Sequence, residues 1–265
     1  MEVAFHKYQG TGNDFIIIDN RSGKYDQLSQ AQISFLCNRK FGIGADGLML
    51  YNASEIADFS MIYYNADGRI GSMCGNGGRC MIHFASRFNP QQKSFQFEAP
   101  DGMHNGSIHD DGTVCIDMKP VSEVNYSNQC AVLNTGSPHV VQPVEDAATA
   151  DVIPIGRAFQ QTDAYRGKGI NVNFVQRLSD RRILVRTYER GVEDETLSCG
   201  TGVTAAALTL PGLPSGKHEI EVQTPGGHLK VRFVKENDQN FSSIFLCGPA
   251  TFVFSGEISL QTDNL

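Results

Sequence analysis

The sequence predicts an α/β (α+β) chain made of two similar halves, each a small, mainly antiparallel sheet wrapped around one helix. Three observations predict it. Alternating strand patterns closed by tight turns outnumber helical patterns. One helical pattern, residues 201–210, is apolar almost all round and uncharged, as expected of a helix enclosed by other structure. The pattern C-G-x-G occurs twice, at Cys74-Gly75-Asn76-Gly77 and Cys199-Gly200-Thr201-Gly202, and a proline turn follows 26 positions after each cysteine, at Pro100 and Pro225.

Taken in order, Phe15 to Ile18 is a β-branched run closed by Asp19-Asn20, a short strand. Residues 29–40 carry Ile33, Leu36 and Cys37 at helical spacing, with Ser29 as the N-cap. Residues 76–88 place Met81, Phe84, Ala85 and Phe88 on one helical face. Residues 94–98 alternate, Pro100-Asp101-Gly102 turns the chain, and Val114 to Met118 alternates again. In the second half His218 to Val222 alternates, Pro225-Gly226-Gly227 turns, and Leu229 to Phe233 alternates. Pro211-Gly212 ends the apolar helix. Upstream, Asn13 and Asn171 each precede an apolar strand, and Tyr64 and Tyr188 lie at similar offsets before the two cysteines, which sets a register for the repeat. In that register the first half carries an insertion near residues 21–55. The boundary falls near Lys119-Pro120. The domains expected are 1–119, joined by a C-terminal segment from about 252 to 265, and 120–251.

Composition narrows the function. The chain has 265 residues and a formal charge of −7, with no long Lys/Arg run, so neither nucleic acid nor a membrane surface is an expected partner. No apolar stretch is long enough for a membrane span, and residues 1–15 lack the pattern of a secretory leader. Seven cysteines, Cys37, Cys74, Cys80, Cys115, Cys130, Cys199 and Cys247, are widely spread with no C-x-x-C pair. That fits neither a disulfide framework nor a zinc knuckle, and it points to mostly free thiols in a reducing, cytoplasmic setting.

The chemistry resides in the two C-G-x-G segments. Glycines at a helix start leave backbone N–H groups open, and the helix end adds about half a positive charge. Such a place binds a carboxylate and lowers a thiol pKa from about 8.5. Two such thiols facing each other across a cleft, around one amino-acid carboxylate, can remove the α-proton on one face and return a proton on the other. The helix ends would stabilise the charge that builds on the carboxylate.

These segments resemble those of a known family, the diaminopimelate epimerases. The resemblance covers nearly the whole chain and rests on GTGNDF (10–15), FGIGADGL (41–48), YNADG (64–68), MCGNGGRC (73–80), SPHVV (137–141), GINVNFV (169–175), YERGVEDETLSCGTG (188–202) and TPGG (224–227). It implies two pseudo-symmetric domains, each a barrel-like sheet around a central helix, with the active site in the cleft between them. It implies conversion of LL-diaminopimelate to the meso form without a cofactor or metal, in lysine and peptidoglycan precursor biosynthesis. The partners implied are a small-molecule amino acid and a second copy of the chain, as a homodimer.

Residue by residue, the resemblance makes Cys74 and Cys199 the catalytic thiols. Asn13, Asn65, Gly75, Asn76, Asn171, Glu189, Arg190, Gly200 and Thr201 match substrate-binding positions, with Arg190 gripping the distal carboxylate. His139 and Glu189 match residues that tune the cysteines, by opposed charges that poise one as thiolate and the other as thiol. Arg79 and the remaining cysteines read as structural. Two positions depart from the family pattern: Ser137 stands where many members have Asn, and Gly47 where some have Gln. The nearest alternative is a proline or hydroxyproline racemase with the same two-thiol chemistry. Such enzymes usually carry His where this chain has Asn76. A binding module gives no reason for a cysteine at both helix starts. A thiol oxidoreductase cycling the two cysteines is a third reading.

Overall fold

The structure is a computed structural model and describes residues 1–71, 73–127 and 129–260. The chain forms two compact units, Met1–Ile116 with the segment from Pro249, and Asp117–Gly248.

In the first unit β1 (Glu2–Gly10) and β2 (Asn13–Asp19) form a hairpin, and α1 (Gln30–Cys37) leads to β3 (Gly47–Asn52), parallel to β2. β4 (Phe59–Asn65) returns antiparallel, and α2 (Gly75–Ser86) crosses to β5 (Ser94–Ala99), parallel to β4. β6 (Gly102–Ile108) and β7 (Val114–Met118) complete an antiparallel meander. In the second unit β8 (Val124–Tyr126) and β9 (Ala131–Asn134) precede β10 (Pro138–Pro143), and α3 (Val152–Gln160) leads to β11 (Asn171–Ser179), parallel to β10. β12 (Arg182–Glu189) pairs with β11 and with the short β13 (Asp194–Thr196). α4 (Gly200–Leu208) crosses to β14 (Gly216–Thr224), parallel to β12, and β15 (Gly227–Lys235) and β16 (Phe241–Gly248) finish the meander. β17 (Thr251–Ser259) then adds to β1 in the first unit.

The two units thus share one connectivity, and the ladders fix its register. β2 and β3 pair from Phe15 with Gly47, and β10 and β11 pair from His139 with Asn171. Leu48 faces Tyr64, and Val172 faces Tyr188. Phe15 therefore corresponds to His139, Gly47 to Asn171, Met49 to Asn173, Tyr63 to Thr187, and Asn65 to Glu189. This corrects the sequence register upstream of the cysteines: the counterpart of Asn13 is Ser137, not Asn171. The expected insertion near 21–55 is also absent. The stretch from β2 to β3, residues 20–46, and that from β10 to β11, residues 144–170, are 27 residues each. Loss of recognisable sequence in α3, not extra chain in the first half, made them look unlike.

α2 packs on β1, β2, β3, β6 and β17, and α4 on β10, β11, β12, β14, β15 and β16. Both helices are enclosed by their own sheet, which explains why α4 is apolar all round. α1 covers the other face of β2 and β3, with Ile33 and Leu36 against Ile16, Ile18, Leu48 and Leu50. Because strand side chains alternate, that leaves Phe15, Ile17 and Met49 for α2. A strand buried on both faces reads as a continuous apolar run, as Phe15 to Ile18 does. α1 opens on the expected cap: Ser29 accepts from the Gln32 N–H, and the Gln32 side chain accepts from the Ser29 N–H.

Two expectations fail locally. Phe88 lies beyond α2 and is 48% exposed, stacked on Tyr51, with the Arg21 guanidinium over both rings. Cys115 and Cys247 are disulfide-bonded and not free thiols, whereas Cys37, Cys80 and Cys130 are free.

Candidate active site

Cys74 and Cys199 are the N-cap residues of α2 and α4, in nearly the same backbone conformation: φ −98°, ψ 126° and φ −100°, ψ 111°. Neither side chain caps its helix, and each carbonyl accepts the bond that closes the first turn, from Gly78 and Val203. The thiols are therefore displayed beside first-turn N–H groups that the helix itself does not satisfy. Gly75, Gly77, Gly200 and Gly202 keep the backbone bare there. A methyl group at Gly202 would meet the Asn173 side-chain oxygen inside contact distance, and one at Gly77 would come 3.0 Å from the Met49 sulfur.

Around Cys74, the tight Thr11-Gly12 turn (φ 52° and 85°) delivers Asn13 at the start of β2. Asn13 Nδ2 donates to Asp46 at 2.7 Å, so its Oδ1 is turned toward Cys74 Sγ (3.6 Å) and Asn76 Nδ2 (3.4 Å). Asp46 belongs to a charge cluster: Arg39 bridges Asp46 and Asp14, and Lys7 pairs with Asp14 at 2.7 Å. Burial would raise the Asp14 carboxyl, but the hydrogen bonds and charges of Arg39 and Lys7 outweigh it and hold it well below the carboxylate range. Arg79 is wholly buried one turn behind Cys74, with Nη1 on the Gly75 carbonyl and Nη2 on Thr11 Oγ1, tying α2 to that turn. Asn65 ends β4 opposite Gly47. A Cβ at Gly47 would lie within 2.8 Å of the Tyr63 ring and hydroxyl, so Tyr63 fills the space that a side chain at position 47 would need.

Around Cys199, Thr201 Oγ1 lies 3.5 Å from Sγ and 2.9 Å from His139 Nε2. The other ring nitrogen of His139 faces Asn173 Nδ2 at 3.1 Å. His139 is wholly buried, and burial, then the charge of Arg190, push its pKa down to about 3. This corrects the sequence reading: His139 is a neutral link to Cys199, not a positive charge beside it. Asn171 is engaged within its unit. Its Nδ2 donates to Ser137 Oγ and the Pro138 carbonyl, and its Oδ1 accepts from the Arg190 N–H. Ser137 is thereby held by Asn171. Glu189 accepts from Thr196 Oγ1 at 2.7 Å. Arg190 is exposed, its stem over Gly169 (φ 67°) and Nη1 toward the Lys168 carbonyl.

Asp46, Tyr63, Asn173 and Thr187 were not singled out by sequence. Their signal was the ladder register, since each lies on a strand facing α2 or α4 or next to a residue that does. Burial pushes the Cys37 and Cys80 thiols up to about 12, which fits structural cysteines. Among the described residues no group of three His, Cys, Asp or Glu side chains is placed to hold a metal ion, and no helix is long and apolar enough to cross a membrane.

The family model for diaminopimelate epimerase matches residues 5–124 and 131–253. This chain belongs to the diaminopimelate epimerase family. Among its relatives, the diaminopimelate epimerase of Flavobacterium psychrophilum is 46% identical over 97% of this chain and 100% of its own length. That of Chlorobaculum tepidum is 41% identical over 95% and 99%. Solved structures share the fold at much lower identity. A PhzF-family phenazine biosynthesis protein of Bacillus anthracis has a TM-score of 0.72 at 15% identity, covering 98% of this chain and all of that one. A probable proline racemase of Agrobacterium radiobacter with bound carbonate has a TM-score of 0.69 at 13% identity, covering 99% and 94%. Both likenesses are of fold alone.

Proposed function

We propose that this chain is an isomerase that epimerises LL-diaminopimelate to the meso form, without a cofactor, using Cys74 and Cys199 as a two-base pair. The observation that carries the chemistry is the matched pair of cysteines at uncapped, glycine-lined helix starts, one in each unit. One thiolate removes the α-proton and becomes a thiol. The other thiol delivers its proton to the opposite face and becomes a thiolate, so charge and protons balance. The α-proton of an amino acid is a very weak acid. N–H groups of Gly75, Asn76, Gly200 and Thr201, aimed at the reacting carboxylate, would stabilise the charge that builds there. Asn13, Asn65, Asn171, Glu189 and Arg190 would hold the remainder of the substrate, with Arg190 on the distal carboxylate. The relatives named diaminopimelate epimerase support this substrate over proline. The setting proposed is the cytoplasm, as a homodimer, in lysine and peptidoglycan precursor biosynthesis.

The test is deuterium uptake at the α-carbon of diaminopimelate in D₂O, by protein dialysed against a chelator and treated with hydroxylamine. Exchange with inversion is the expected result. Activity lost on chelation and restored by a metal would overturn the cofactor-free reading. Faster turnover of proline or hydroxyproline would overturn the substrate.

A further inference from the structure

The surroundings of the two thiols differ in the polarity of their hydrogen bonds. Beneath α4, Asn173 leaves no freedom of orientation. Its Nδ2 lies 2.9 Å from the Val140 carbonyl, and its Oδ1 lies 3.0 Å from Thr187 Oγ1. Turning the amide would set two oxygens against each other at Val140, so Nδ2 must donate. The second hydrogen of that amide points to His139 Nδ1, which must therefore accept. A neutral imidazole that accepts at Nδ1 carries its proton on Nε2. Nε2–H donates to Thr201 Oγ1, and the threonine hydroxyl, in a 3.5 Å contact where either atom can donate, can direct its own hydrogen to Cys199 Sγ. With the hydrogen so directed, the run ends on the sulfur as an acceptor.

Beneath α2 the equivalent positions hold Phe15, Met49 and Tyr63, and Phe15 and Tyr63 pack edge to face. In the places of His139 and Asn173, Phe15 and Met49 carry no side-chain donor. Cys74 Sγ meets the Asn13 oxygen, fixed as an acceptor because Asp46 takes the amide hydrogen. Cys74 donates.

We propose that Asn173, held by Thr187 and the Val140 carbonyl, is a positioning residue. It locks His139 as the Nε2–H tautomer, and the donors running through the Thr201 hydroxyl make Cys199 the resting thiolate while Cys74 keeps its proton. This rests on the two-thiol reading for its catalytic meaning, but the resting protonation can be measured without turnover. Charged groups near these sites include Arg190, whose field further disfavours a proton on His139, Arg79, which couples to Cys74, and the Asp46, Arg39, Asp14 and Lys7 cluster behind Asn13. The Arg79 charge eases ionisation of Cys74 when the reaction runs in the other direction. The burial that keeps His139 neutral keeps the relay in one state across the working pH range.

The tautomer is read by long-range ¹H–¹⁵N correlation of the histidine side chains, and the thiolate by ultraviolet absorbance titration of wild type and variants. His139 should show the Nε2–H pattern, replaced by a mixture in Asn173→Ala. The lowest thiolate inflection should vanish in Cys199→Ala and persist in Cys74→Ala. Thr201→Val, which keeps the backbone N–H and the side-chain volume, should raise that inflection by about one pH unit, a tenfold loss of thiolate below it, and Thr201→Ser should restore it. Thr201→Val keeps the test open if Asn173→Ala proves too unstable to titrate. An Nδ1–H pattern for His139, a low inflection that disappears with Cys74 instead, or an unmoved inflection in Thr201→Val would overturn the assignment. Failure of epimerisation with these spectra intact would count against the proposed function and not against the relay.

Discussion

At the scale of single residues, the same N-cap backbone presents two thiols with different neighbours, and the proposed two-base scheme gives each a different half of the proton transfer. Cys74→Ala and Cys199→Ala should each reduce epimerisation by several orders of magnitude. The double variant should be little worse than either single one, because the pair acts as a unit. Initial rates with circular dichroism as a fold control check this. A single variant retaining more than about a tenth of wild-type rate, a loss under ~1.4 kcal/mol, would sink the two-base scheme. Arg190 calls for a smaller figure than a buried arginine would. It is exposed, and water screens its charge, so a carboxylate contact there contributes modestly until the substrate covers it. Arg190→Lys keeps the charge but loses the fork that matches a carboxylate. It should lower kcat/KM for diaminopimelate by about 10- to 100-fold, mostly through KM, roughly 1.4–2.7 kcal/mol of binding common to ground and transition states. A change confined to kcat would place Arg190 elsewhere than on the distal carboxylate. The cysteines were legible in the sequence because glycines on both sides left little else for a cysteine to do there. His139 was legible as a position but not as a charge state, since its burial is set by strands that sequence alone did not align.

At the scale of elements, the helix starts are where packing and chemistry meet. Both lack a side chain at the third helical position, Gly77 and Gly202, but for different neighbours. A methyl at Gly77 meets the flexible end of Met49, which can yield. At Gly202 it meets the Asn173 amide, which is pinned at three hydrogen bonds. Gly202→Ala should therefore destabilise the protein by about 1–3 kcal/mol and impair turnover, while Gly77→Ala should cost well under half of that. Denaturant midpoints of the two variants decide it, and equal losses would contradict the asymmetry drawn between the two helix floors. The legible elements were those with one dominant pattern: the hairpins β5–β6 and β14–β15, the capped α1, and α4. The others broke pattern for physical reasons. β1 puts Lys7 in an inward slot, where its ammonium pairs with Asp14 and donates to the Gly44 carbonyl. α3 carries Pro154 in its first turn, where no N–H is lost, and Gly156 against the Tyr188 ring, which leaves no room for a side chain. Both residues normally argue against a helix.

At the scale of the whole molecule, the repeat was visible as C-G-x-G at a fixed distance from a turn, but its register upstream was not, because a duplicated fold keeps connectivity while its side chains diverge. Asn13 aligned with Asn171 by type, whereas the ladders align it with Ser137; strand pairing, not residue identity, survives. That divergence has a cost visible in acid. Where one unit has Phe15, the other has His139, whose pKa is pushed from 6.5 down to about 3 by burial and by Arg190. A lowered histidine pKa means that, between those values, the unfolded chain binds a proton that the folded chain does not. Stability is therefore unaffected above about pH 6.5 and declines as pH falls below it, by up to about 1.4 kcal/mol per unit, or about 2–3 kcal/mol at pH 4.5. His6 and His83 are lowered in the same direction by burial and add to the slope. Asp14, lowered in its own range, contributes fully throughout this window and is lost only below it. His139→Gln retains an amide donor for Thr201 and cannot titrate. It should be less stable than wild type at pH 7.5 yet lose distinctly less between pH 7 and 4.5, so that the two stability curves converge in acid. Denaturant unfolding across that range measures both curves. Parallel curves would mean that His139 takes up its proton in the folded protein as readily as in the unfolded one, and its lowered pKa would have to be given up.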